Sequence, residues 1–112
     1  MDRATSKTLT QQEAIHYVKQ FVNRARYHGL KVDHVYLFGS YAKNAQQKNS
    51  DVDICVVSTD FGRDYHLEEV ELLKIVHEFS TPADVIPYHP KDLADKYDPL
   101  AKEVRTKGIQ II

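Results

Sequence analysis

The sequence has few of the residues that staple or rigidify small proteins. It holds one cysteine, no tryptophan, four glycines and four prolines. A lone cysteine excludes an internal disulfide and gives no sign of an oxidising compartment. Cys55 lies in the apolar run Ile54-Cys55-Val56-Val57 and reads as a small buried hydrophobe rather than a reactive thiol. An excess of one charge is also missing, since 15 basic and 16 acidic residues leave a formal net charge of −1. No global field draws the chain to nucleic acid or an anionic membrane, so either would need a local patch. No apolar stretch approaches the roughly 20 residues of a membrane span. The opening MDRATSKTLT has no apolar signal core. Together these absences predict a cytoplasmic protein. His16, His28, His34, His66, His77 and His89 form no pair at metal-binding helical spacing, which argues against zinc. The tyrosines are scattered, with no platform for stacking single-stranded nucleic acid.

What is present suits one globular domain. A chain of 112 residues buries roughly 65% of its unfolded surface. Residues 1–8 are polar and without period, and are expected to form a loose tail ahead of a single domain over 9–112. Thr10 and Glu13 make a capping box. Ala14, Ile15, Val18, Phe21, Val22 and Ala25 follow at helical spacing, and Gly29 fits the residue after the helix, giving a helix over 10–28. Lys19, Arg24 and Arg26 lie on its solvated face. A strand is predicted over 32–38, a short helix over 40–45, an exposed loop over 46–50 and a second strand over 51–57.

The stretch 58–64 reads as a loop that Gly62 frees to move. A second long helix is predicted over 66–79. Leu67, Val70, Leu73, Ile75, Val76 and Phe79 form its apolar face, and Glu68, Glu69, Glu71, Lys74 and Glu78 its solvated one. Ala83–Tyr88 reads as a strand whose Pro87 places it at an edge or bend. A brief helix within 89–98, a helix over 100–107 ended by Gly108 and a short strand over 109–112 complete the chain. The expected fold class is α/β (α+β): a small mixed sheet with helices packed on it.

One stretch, Tyr36 to Val57, carries the chemistry. With ten Asp among 112 residues, an isolated Asp-x-Asp is expected about once by chance. Requiring it at a fixed offset behind Gly-Ser lowers that expectation to the order of a thousandth. Residues two apart on a strand point to the same face, so Asp51 and Asp53 present their carboxylates side by side. Paired hard oxygens suit Mg²⁺, which takes one or two carboxylates together with waters and substrate phosphates. Gly39 lets a phosphate approach the backbone, while the following amides and the Ser40 hydroxyl point at it. Lys43 adds positive charge. Tyr41 serves either nucleotide or packing, and Arg63 is read as a solvated loop charge.

This stretch resembles the nucleotidyltransferases of the DNA polymerase β superfamily, whose signature is Gly-Ser, about ten residues, then Asp-x-Asp. Here it is Gly39-Ser40, ten residues, Asp51-Val52-Asp53. The resemblance implies a third carboxylate on a neighbouring strand, where Asp84 stands; Asp92 and Asp95 are the possible substitutes. In size the chain resembles the minimal nucleotidyltransferase group, often found as an MntA-type antitoxin beside a HEPN-domain toxin.

The resemblance implies that Asp51, Asp53 and Asp84 hold two Mg²⁺ ions and carry catalysis, with Gly39, Ser40 and Lys43 on the phosphates of ATP. AMP would pass to a hydroxyl of the partner, a tyrosine of the HEPN toxin. Many relatives have Arg-Gly where this chain has Lys43-Asn44. Two alternatives stay open: an antitoxin that only masks its partner, and transfer to a small molecule or nucleic-acid end.

Overall fold

A computed structural model describes residues 8–112. The 1–7 part of the expected tail lies outside the described residues. In order, the elements are α1 (Gln11–Tyr27), β1 (His34–Phe38), β2 (Val52–Val57), α2 (Tyr65–Val76), β3 (Ala83–Tyr88), α3 (Pro90–Leu93), α4 (Pro99–Lys107) and β4 (Ile109–Gln110). They build one mixed sheet in the order β3-β2-β1-β4. β1 is antiparallel to both β2 and β4, whereas β2 and β3 run parallel, with α2 as their crossover. The mixed α+β sheet expected from the sequence is the observed one. β3 is an edge strand, where Pro87 needs no second ladder partner.

The sheet has two unequal faces. Val35 and Leu37 of β1, Val52, Ile54 and Val56 of β2 and Val85 of β3 point to the first face. There they meet Phe21, Val18 and Val22 of α1 and Leu72, Ile75 and Val76 of α2 in the main core. The alternate residues Phe38, Cys55, Val57 and Tyr88 point to the second face, where buried Ala101 and Val104 of α4 and the partly buried Leu93 and Leu100 complete a small cluster. Cys55 is fully buried there, as its apolar neighbours suggested.

α1 begins with the expected capping box, the Thr10 hydroxyl accepting from Glu13 N–H and the Glu13 carboxylate accepting from Thr10 N–H. Such a cap is worth about 1 kcal/mol. The helix is followed by Gly29 at φ 89°, the left-handed position that favours glycine.

Three local expectations differ from the structure. No helix forms over 40–45. Instead, Lys43 N–H donates to Gly39 O at 3.3 Å and Ala45 N–H to Ser40 O at 2.9 Å, closing one irregular turn. Asn44 takes φ 54°, which stops helical propagation. The amide of Gln11 ties the turn to α1 by donating to the carbonyls of Tyr41 (2.9 Å) and Ala42 (3.2 Å).

The second difference is Glu68, which is buried rather than solvated. Its carboxylate accepts the N–H groups of Gly62, Arg63 and Asp64 at 3.1–3.3 Å. Burial opposes its ionisation, but the three donors prevail and hold its pKa below the usual value. The loop expected to move is therefore tied to α2. Third, that helix ends at Val76, and Leu67 lies 58% exposed rather than on the apolar face, where Leu72 is buried.

Candidate active site

Three segments meet at one end of the second face: the turn leaving β1, the approach to β2 and the start of β3. Because β1 and β2 are antiparallel, the C-terminal end of one adjoins the N-terminal end of the other, with Phe38 opposite Asp53. Because β2 and β3 are parallel, both their N-terminal ends lie there, with Asp53 in register with Asp84. Register partners project to the same side of a sheet. Asp51 precedes β2 by one residue, close enough for its charge to act on Asp53. Asp92 and Asp95 instead follow the far end of β3. Their carboxylates accept local N–H groups, from His89 (2.9 Å) and Tyr97 (2.9 Å) respectively. Arg63 is also at that far end, in the loop after β2.

The acids act on one another. Asp53 is half-buried, and burial together with the charges of Asp84, Asp51 and Glu103 pushes its pKa up from 3.8 to about 6. Among the described residues, no three His, Cys, Asp or Glu side chains form a ready-made metal cage. The donor set nevertheless fits a hard divalent cation of the kind that takes one or two carboxylates and completes its coordination with water and substrate phosphate. A cation placed there would relieve the repulsion that raises Asp53.

Gly39 fits the site for two reasons. Its φ is 74°, a conformation costly for any side chain with a Cβ. A Cβ built on it would also fall against the Asp53 carboxylate, 3.0 Å from its Cγ. The glycine therefore makes room for an acid as well as for any phosphate. Beyond it, the amides of Ser40, Tyr41 and Ala42 have no hydrogen-bond partner among the described residues, and neither has the Ser40 hydroxyl. Successive unpaired amides in a turn make an anion-binding concavity.

Tyr41 is a packing residue: it is 2% exposed and its hydroxyl oxygen accepts from Leu9 N–H at 3.2 Å. Lys43 carries its ammonium 3.8 Å from Glu103 Oε2 of α4. Glu103 is the member of the cluster that sequence reasoning missed. It lies sixty residues beyond Lys43, and no local pattern links the two.

The comparisons agree with this geometry. The family model for the nucleotidyltransferase domain matches residues 17–111. A crystal structure of a toxin–antitoxin with AMP-PNP is similar at 27% identity and TM-score 0.64, over 84% of this chain and 71% of that one. A crystal structure of a mutant MntA-HpeT toxin–antitoxin is similar at 25% identity and TM-score 0.60, over the same shares of 84% and 71%. A nucleotidyltransferase structure from Sulfolobus solfataricus shares the fold at 16% identity and TM-score 0.63, over 96% of this chain and 90% of that one. No curated protein matches the chain. With a family match across most of its length, and Gly39-Ser40 and Asp51-Val52-Asp53 brought to adjoining strand ends, the chain belongs to the nucleotidyltransferase domain family.

Proposed function

We propose that residues 9–112 form a single Mg²⁺-dependent adenylyltransferase domain that moves AMP from ATP to a hydroxyl of a partner protein. The proposed acceptor is a tyrosine of a HEPN-domain toxin, which the chain thereby neutralises as its antitoxin. The observation that carries this reading is the register pairing of Asp53 with Asp84 beside a turn whose amides are unpartnered. The toxin–antitoxin neighbours, one of them with AMP-PNP, support the choice of partner and nucleotide.

In this proposal the amides of residues 40–42 and the Ser40 hydroxyl hold the β- and γ-phosphates, and Lys43 adds charge to the same end. Asp51 and Asp53 would bind two Mg²⁺ ions, with Asp84 sharing one of them. Such a pair of ions stabilises both the attacking and the leaving oxygen of an in-line displacement. Asp84, exposed at the start of the edge strand, faces the incoming acceptor and assists removal of its proton. The acceptor oxygen bonds to the α-phosphorus, the bond from that phosphorus to the β-bridging oxygen breaks, and pyrophosphate leaves. Among the described residues only the short α3 and α4 pack on this face, and in this reading the acceptor is supplied by the partner. Among the described residues no helix is long and apolar enough to cross a membrane, and the cytoplasm is the proposed place of action.

The test is co-expression with the partner toxin and mass spectrometry of that partner. Added AMP is expected with the unaltered chain and is expected to disappear with Asp51→Asn/Asp53→Asn. Equal neutralisation by both forms, with no AMP on the partner, would instead establish masking.

A further inference from the structure

The Lys43–Glu103 pair joins the phosphate turn to α4, an element outside the nucleotidyltransferase motif. The two sides of the pair differ in rigidity. Glu103 stands on a pinned helix, between buried Ala101 and Val104. Asp98 caps that helix, accepting from Leu100 N–H at 2.9 Å and from the Tyr88 hydroxyl at 2.6 Å. Near the other end, Arg105 Nη1 donates to the carbonyls of Leu93 (2.6 Å) and Asp95 (3.1 Å). Lys43 is a long flexible side chain on a surface turn, and among the described residues Glu103 is its one charged partner. Such a lysine can swing while the glutamate stays in place.

We propose that Glu103 is a positioning residue that competes with the nucleotide triphosphate for Lys43 and so sets nucleotide affinity. This rests on the nucleotidyltransferase reading of the site. A triphosphate carries more charge than one carboxylate and captures the ammonium when it binds. The captured Lys43 leaves Glu103, and the affinity is reduced by whatever the pair was worth. Both partners are partly exposed, at 46% and 34%, so the pair is weak and its effect is about two- to fivefold. After transfer, Glu103 can reclaim Lys43 and ease pyrophosphate out. An effect of this kind acts equally on ground and transition states, and so moves KM rather than kcat.

The test is a double-mutant cycle read by calorimetry with Mg·AMP-PNP, on the unaltered chain, Glu103→Gln, Lys43→Met and the double variant. Glu103→Gln is expected to tighten binding about two- to fivefold, and to lower KM for ATP with kcat unchanged. In the Lys43→Met background the same change is expected to have a clearly smaller effect, because only the direct charge of Glu103 on the Asp53 end of the site remains. Equal tightening in both backgrounds would reduce Glu103 to simple repulsion of the anion and overturn the competition. So would weaker binding, or no change, in Glu103→Gln. A thermal unfolding midpoint on each variant separates these outcomes from damage to α4. Failure of the unaltered chain to bind Mg·AMP-PNP would overturn the site reading itself, and the competition with it.

Discussion

The two faces of the sheet are made from the same strands, yet they do opposite things. The first face spends every inward position on hydrophobes and is covered by two long helices. The second has a small apolar cluster under α4, and at the same strand ends it places Asp53 and Asp84 where further hydrophobes could have stood. Alternation along β2 separates the two faces by single residues: Val52 and Ile54 hold the core while Asp53 between them lies on the side of the candidate site. One face supplies the stability that lets the other keep carboxylates close enough to repel.

Four changes would break or sharpen that contrast. Phe21→Ala, which empties a fully buried position of the first face, is expected to cost about 4 kcal/mol in denaturant unfolding. Asp84→Asn is expected to slow transfer about a hundredfold, the scale for losing one preorganised electrostatic group. Its unfolding midpoint is expected not to fall, because Asp84 is exposed and its charge opposes the ionised Asp53 beside it. Tyr88→Phe removes the bond to Asp98 and is expected to cost about 1.5 kcal/mol, seen as a lower urea midpoint.

The smallest effect runs the other way. Asp53 has its pKa raised to about 6 in the fold, so the folded chain holds this proton more tightly than the unfolded one. The associated stability is present below the unfolded value and is lost as pH rises through about 6. Asp53→Asn is therefore expected to stabilise the metal-free protein at neutral pH by about 1 kcal/mol, after allowing for solvent screening. Urea titrations near pH 4 and pH 7.5 check this, with the advantage expected to vanish at the lower pH. A neutral-pH loss of stability on making Asp53→Asn would show that the acid is not strained by its neighbours.

The elements legible in the sequence were those with a local cause. β3 has the expected bounds of Ala83–Tyr88, and the Thr10 cap starts α1 as expected. Asp51, Asp53 and Gly39-Ser40 could be singled out because strand alternation and turn chemistry act within a few residues. Asp84 needed the family resemblance to single it out from Asp92 and Asp95, since its place beside Asp53 depends on the parallel register of β2 and β3 and not on any local pattern. What escaped depended on tertiary partners. The 40–45 turn has ordinary helix formers, but Asn44 and the Gln11 bonds override them. Glu68 has the sequence setting of a solvated helix residue, yet the loop before α2 folds back to donate three N–H groups to it. Glu103 reaches Lys43 only because α4 returns across β1.

Gly39 and Asp53 have a further consequence, for inheritance. The acid fills the space that a side chain at position 39 would need, so the turn and the acid form one steric unit. A lineage that replaced Gly39 by even alanine would displace the carboxylate in the same step, and restoring the acid alone would not repair it. In descendants of this chain the two positions are expected to persist together or decay together, whatever happens to the ten residues between Ser40 and Asp51.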